Sequence, residues 1–223
     1  MRFMDSRSYR RKLLDEALSN HAHLMRGTVV DLAGKNNRFR GKFRPPVDQI
    51  TERIVVNLDP AAEPDLVADI RDTTLPDETA DCVVLTETLQ HVPDPDRCVE
   101  EATRILKPGG VFIGSIPFLY PVHRDPEDLM RYGPDGLRVA LAGFSEVDIL
   151  AMGGFWGVLS LMLERKVSTV SLAPVLNKLA LGKLSKAGLL VGGRLLAALD
   201  RNRLYPNTAN TLFTTGYFFV AKK

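Results

Sequence analysis

Seven short apolar runs, each of strand length and each followed by polar or helix-forming sequence, constrain this chain more than any other feature. They cover Thr28 to Leu32, Arg53 to Leu58, Leu66 to Ile70, Cys82 to Thr86, Val111 to Ile116, Val147 to Leu150 and Leu212 to Val220. Continuous apolar runs, as opposed to alternating ones, mark strands covered on both faces, and crossovers between them mark a parallel sheet. The pattern predicts an α/β fold: a doubly wound, mostly parallel seven-stranded sheet with helices on both faces. At 223 residues with 45% apolar and 25% charged side chains, the chain suits one globular domain over 1–223 and excludes disordered, collagen-like and repeat architectures.

The intervening stretches read as helices where the signals agree. Residues 8–25 carry Leu14, Leu18, His21 and Met25 on one stripe, and Arg26-Gly27 ends it. In 95–106, Pro95 suits the first helical position, Asp94 can cap, and Lys107-Pro108-Gly109-Gly110 stops the helix. A further helix is expected from Pro126, with Asp125 as its cap, and a short one from Pro134 to Leu141. The basic loop holding Lys35, Arg38, Arg40, Lys42 and Arg44 is poor helix material and reads as an ordered loop. The uncharged run 149–163 is shorter than the roughly 20 residues of a spanning helix and contains Gly153-Gly154, so no transmembrane segment is expected.

Charge is divided unevenly. Residues 165–223 contain ten Lys/Arg and one acid, Asp200, which makes that part +9; residues 1–164, with 19 bases and 26 acids, carry −7. A basic, leucine-rich final quarter suggests an anionic partner, with an anionic membrane surface reached through 165–203 a candidate ahead of nucleic acid, because few aromatics are interleaved there to stack bases; the alternative, which has the slightly stronger claim, is that the stretch packs as an extra helical layer or a dimer contact. Cys82 and Cys98 are too few for a disulfide framework and have no metal-ligand spacing; no metal site is expected. With charges recurring through MRFMDSRSYRRKLLDE, a secretory leader does not fit, so the expectation is cytoplasmic, peripheral at a membrane.

In such sheets ligands sit at the carboxyl ends of the strands. Four of those ends carry suggestive residues: Asp31-Leu32-Ala33-Gly34-Lys35, then Asp59, then Asp69-Ile70, then Thr86-Glu87 through Gln90-His91. The order from Asp69 to Gly110, with its D…LP…D, E-x-L-x-H-V and L-K-P-G-G pieces, resembles the class I S-adenosylmethionine-dependent methyltransferases, in particular the small type 11-like branch. The resemblance covers about residues 28–150 and implies a Rossmann-like domain. Its parts are an N-terminal helix (1–27), a cofactor-binding core (28–150), a helical, basic, leucine-rich insertion (151–210) and a last strand (211–223).

The resemblance further implies S-adenosylmethionine as cofactor, held by Asp31, Ala33, Gly34 and Lys35 at the methionine end, Asp59 at the ribose, Asp69 and Ile70 at the adenine, and Thr86 near the sulfonium. Glu87 faces the acceptor. The stretch Pro121 to Tyr132 is similar to a loop of the same branch and would bring His123, Asp125 and Arg131 to the rim of the acceptor pocket. The first motif departs from the usual G-x-G: Ala33 costs little at negative φ and strains a left-handed turn.

Methyl transfer is an in-line displacement, so alignment and exclusion of water carry much of the catalysis. An oxygen acceptor also needs a proton removed, and His91 and His123 have the side chains suited to that. The expected activity is therefore transfer to an oxygen or nitrogen of a small-molecule or glycan-like acceptor. The alternative is a catalytically degenerate Rossmann-like binding or scaffold protein. A nicotinamide oxidoreductase is disfavoured because both G-x-G-x-x-G and a Tyr-x-x-x-Lys pair are missing.

Overall fold

The computed structural model describes residues 8–37, 41–122, 124, 127–169, 191–193, 195–200, 204–205 and 212–223. Helices α1 (Tyr9–Asn20), α2 (Pro95–Ile105), α3 (Pro134–Ala140) and α4 (Phe155–Thr169) surround strands β1 (Gly27–Leu32), β2 (Ile50–Asn57), β3 (Leu66–Val67), β4 (Ala80–Thr86), β5 (Leu106–Pro117), β6 (Glu146–Met152), β7 (Leu204–Tyr205) and β8 (Gly216–Lys222). The sheet order is β3-β2-β1-β4-β5-β8-β6-β7. The five strands from β3 to β5 are parallel, and β8 runs antiparallel between β5 and β6. The seven expected strands are present; the two-residue β7, antiparallel to β6, extends the edge.

Neighbouring residues of the central strands face opposite layers, which is why those strands are apolar throughout. Val29, Cys82, Ile113 and Phe218 pack under α1 with Leu13, Leu14 and Ala17. Val30, Val83, Phe112 and Phe219 pack on the other side with Cys98, Ala102 and Ile105 of α2 and Leu137 of α3. Gly114 on β5 makes room for this second layer: a Cβ there would lie 2.1 Å from Cζ of Phe219. The burial of the two thiols has an electrostatic consequence. Desolvation, with Asp31 and Asp81 near Cys82, pushes its thiol up to about 12, and desolvation likewise takes Cys98 to about 12.

Two local expectations need correction. Asp94 makes no side-chain capping bond to α2, although Pro95 does occupy its first turn. Residues 127–133 form no helix. Their backbone is tied to another element instead: Leu129 N–H donates to Gln90 O at 2.8 Å, and Glu127 O accepts from His91 Nδ1. The helix starts instead at Pro134, as α3. The uncharged run 149–163 is divided by Gly153-Gly154 into the end of β6 and the start of α4, and among the described residues no helix is long and apolar enough to cross a membrane.

Candidate active site

β1 is hydrogen-bonded on one side to β2 and on the other to β4, so the chain reverses its direction of sheet growth between them. At a switch of this kind the loops leaving two adjacent strands turn apart and open a crevice. A cavity of about 730 Å³ lies there, within the range that holds a cofactor and a small ligand together. Its lining includes Asp31, Ala33, Gly34 and Lys35 after β1, Asp59 after β2, and Thr86, Glu87 and His91 after β4; Arg131 adds to the wall. Asp69 and Ile70 are not among the lining residues. Asp69 is held by Arg71, Oδ2 accepting from Nη2 at 2.6 Å, and these bonds keep its carboxyl below the usual range against the opposing effect of burial. His123 and Asp125 lie outside the described residues.

The turn after β1 is tight and partly strained. Ala33 adopts φ +62°, in the left-handed region, a conformation costing a residue with a Cβ about 1–2 kcal/mol. Its N–H donates to Val56 O at 2.7 Å, which fixes the turn against β2. At Gly34 a Cβ would lie 2.5 Å from Cγ of Asp31, so this position admits no side chain while the carboxylate keeps its place. Burial raises the Asp31 carboxyl, and the ion pair with Arg53, 2.6 Å from Nη2 to Oδ2, only partly offsets it. Asp59 is exposed to the cavity mouth and also caps the turn Pro60–Ala62, its Oδ1 accepting from Ala61 N–H at 2.9 Å. Among the described residues, Lys35 has no carboxylate partner.

At the other end, Glu87 also has positive φ, +55°. Its carboxylate takes two bonds from Arg10 of α1, Nε to Oε2 at 2.8 Å and Nη2 to Oε1 at 2.5 Å, and one from Ser115 Oγ at 2.8 Å. Burial pushes the Glu87 carboxyl up, but the charge and hydrogen bonds of Arg10, helped by Ser115 and Arg11, hold it below the usual range. The Arg10 guanidinium also lies 5.8 Å over the Tyr120 ring. Arg131 pairs with Asp128, with 2.6 Å between Nη2 and Oδ2.

His91 is engaged at both ring nitrogens. Nδ1 donates to the Glu127 carbonyl, which leaves Nε2 to accept from the Gln90 amide at 2.9 Å. The same Gln90 nitrogen donates to Glu87 O at 2.8 Å, so the amide orientation is determined by two acceptors. Gln90 Oε1 is buried in the cavity wall with no partner among the described residues, and a buried acceptor left unmatched costs about 1–3 kcal/mol. Sequence reasoning missed Arg10, Arg53 and Tyr120. Arg10 had a signal: Leu13, Leu14 and Ala17, its neighbours at i+3, i+4 and i+7, all face the core, which places it on the buried stripe.

Residues 46–114 match the family model described as a methyltransferase domain. A stretch of 79 residues, 34% of the chain, is 35% identical to the ubiquinone/menaquinone biosynthesis C-methyltransferase UbiE of Caulobacter vibrioides and covers 31% of it. The chain thus spans about a third of the length of the curated relatives it matches. Among solved structures, a SAM-dependent methyltransferase from Archaeoglobus fulgidus is similar with a TM-score of 0.56 at 15% identity, over 96% of this chain and 94% of that one. The phosphoethanolamine N-methyltransferase 2 of Haemonchus contortus in complex with S-adenosyl-L-methionine gives 0.54 at 13%, over 94% and 52%. The [4+2]-cyclase SpnF gives 0.53 at 17%, over 94% and 80%. Identities this low establish a shared fold, and the cyclase among them bears out that one fold serves more than one chemistry.

Proposed function

We propose that this chain, which carries a methyltransferase-domain sequence pattern on the class I S-adenosylmethionine-dependent methyltransferase fold, transfers a methyl group to a small, hydroxyl-bearing acceptor. The observation that carries the reading is the convergence of three strand ends, Asp31 to Lys35, Asp59 and Thr86-Glu87, on one cavity at the switch point. The residues present fit the cofactor. Gly34 admits no side chain beside the Asp31 carboxylate, Asp59 offers a carboxylate at the mouth to a ribose diol, and Lys35, without a carboxylate partner among the described residues, offers a cation to an amino-acid carboxylate. Asp69 and Ile70, outside the cavity lining, are the less supported part of the adenine site.

When bound, the cofactor supplies an electrophilic methyl group on a sulfonium. The chain's own residues orient the acceptor and exclude water. Glu87, ionised and neutralised by Arg10, is an acceptor of hydrogen bonds and holds no proton. Gln90 Oε1 offers the unmatched site that an acceptor hydroxyl would fill, the feature favouring a polyhydroxylated, glycan-like molecule and an oxygen nucleophile. His91 holds its proton at Nδ1 on the Glu127 carbonyl. To serve as base it would release the Gln90 amide from Nε2. His123, proposed as a second base, and Asp125, proposed as an acceptor contact, lie outside the described residues.

The second reading is a binding or scaffold protein that no longer transfers a methyl group; the strained Ala33, where the family carries a glycine, favours it. Calorimetric titration with S-adenosylmethionine, S-adenosylhomocysteine and NAD tests both. Binding of the first two without NAD, followed by transfer of labelled methyl to a hydroxylated acceptor, supports the enzyme. Failure of both S-adenosylmethionine and S-adenosylhomocysteine to bind sinks it.

A further inference from the structure

Two side chains of β2, Arg53 and Asn57, join the turns that leave β1 and β2. They stand four residues apart on one strand, so they share a face of the sheet, and both line the cavity. Asn57 is bonded in two directions. Its Nδ2 donates to Gly34 O at 2.7 Å in the turn after β1, and its Oδ1 accepts from Asp59 N–H at 2.9 Å in the turn after β2. Arg53 fastens the first turn at two more points, Nη2 donating to Asp31 Oδ2 at 2.6 Å and Nη1 to Asn36 Oδ1 at 2.8 Å. Further along, the two turns meet directly: Asn36 N–H donates to Ala62 O at 3.0 Å, and Asn37 Nδ2 to Ala61 O at 2.5 Å. Those contacts lie outside the cavity lining, whereas Gly34, Asn57 and Asp59 all belong to it.

The strain in the first turn makes these bonds necessary. Ala33 sits at φ +62°, and a residue with a Cβ keeps that conformation only where its surroundings hold it. The bond from Ala33 N–H to Val56 O fixes one side of the turn. The bond from Asn57 to the Gly34 carbonyl fixes the other. Because the same side-chain amide also holds Asp59 N–H, one residue in the cavity wall sets where the first turn lies relative to the Asp59 carboxylate. A ligand that spans both turns meets a distance prepared in advance, and preorganisation of this kind raises affinity by cutting the ordering cost of binding.

We propose that Asn57, assisted by Arg53, is a positioning residue that sets the spacing between the amino-acid end and the ribose end of the cofactor site. The inference rests on the reading of the cavity as an S-adenosylmethionine site. Asn57→Ala removes both bonds without changing the charge. Parent and variant are titrated calorimetrically with S-adenosylhomocysteine, which spans both turns, and with 5′-methylthioadenosine, which lacks the amino-acid end. The expected result is a loss of about tenfold for the first ligand and about threefold or less for the second. In the free protein, hydrogen exchange at the Ala33 amide should speed up, while the amides of Val30 and Val83 in the core keep the parent's protection. Arg53→Lys, which lacks the planar fork that reaches Asp31 and Asn36 together, should show the same split between the ligands. Unchanged affinity for S-adenosylhomocysteine, equal losses for the two ligands, or exchange that rises as much in the core as at Ala33 each overturns the proposal. A parent protein that binds neither ligand overturns the reading of the cavity and the role of Asn57 with it; a parent that binds both, beside variants that bind equally well, overturns the inference alone.

Discussion

Arg10 grips Glu87 through two parallel hydrogen bonds across 77 residues of sequence, with Arg10 only 4% exposed and Glu87 21%. The pair ties the first helix to the end of a central strand and makes that helix a wall of the cavity. Arg10→Met leaves a largely buried carboxylate unpaired, and breaking such pairs costs about 3–5 kcal/mol. The partial exposure of Glu87 places the expected loss at the lower end, about 3 kcal/mol, in urea denaturation. Arg10→Met combined with Glu87→Leu should recover a measurable part of it, and a double variant no better than the sum of the singles would remove the pair from the account.

The left-handed Ala33 makes an unusual promise for a glycine substitution. Ala33→Gly removes a steric cost of about 1–2 kcal/mol and adds some entropy to the unfolded chain. The net expectation is a gain of up to about 1 kcal/mol, read as a higher midpoint in denaturant. Ala33→Val, branched at Cβ in the same conformation, should lose stability. If both variants melt with the parent, the turn is not strained.

Asp59 is both a turn cap and the proposed ribose ligand, and the two roles separate in one experiment. Asp59→Ala gives up the bond to Ala61 N–H, a loss of about 1 kcal/mol. It should also weaken S-adenosylmethionine by at least about tenfold. Asp59→Asn keeps a capping oxygen, so stability should return while affinity stays low. Normal affinity in both variants would move the ribose elsewhere.

Acid should find its first weak point at Glu101. Burial raises this carboxyl, but Arg104 and the hydroxyl and N–H of Thr73 overcome it and bring it down to about 2, from 4.5 in the unfolded chain. A carboxyl depressed by folding stabilises fully above its unfolded value, and this contribution fades as pH falls from about 4.5 towards 2. With Arg104 partly in solvent, about 2–3 kcal/mol is at stake. Glu101→Gln should flatten the pH dependence of unfolding in that window, and an unchanged slope would assign it to other carboxylates.

The seven-strand sheet was legible because each strand carries its burial in its own residues: Val29-Val30 and Phe218-Phe219 need two apolar layers wherever they pair. The strand-end acids were legible for the same local reason, and Asp31, Asp59 and Glu87 do reach one cavity. Contacts between distant elements were not. The grip of Arg10 on Glu87, and that of Arg53 on Asp31, depend on register and helix placement that no short window contains. The non-helical course of 127–133 was missed because its backbone partner, Gln90, lies 39 residues away from Leu129. The expected capping signal after Asp94 failed for the opposite reason, since Pro95 alone suffices to start α2.

The insertion of β8 between β5 and β6 has a consequence for how the chain is made. The parallel half of the sheet can assemble once residues to 117 have emerged, but β5, at 12 residues the longest strand described, then has a bare edge. β6 arrives next and cannot pair with β5, because β8, which lies between them, is not yet synthesised; ahead of it, among the described residues, only the two-residue β7 pairs with β6. For about a hundred residues of elongation the ribosome thus carries a half-sheet with an open side, a template for pairing with other chains. A truncation ahead of residue 216 makes that state permanent, so a product ending there should aggregate through β5 even though every residue lining the cavity is present.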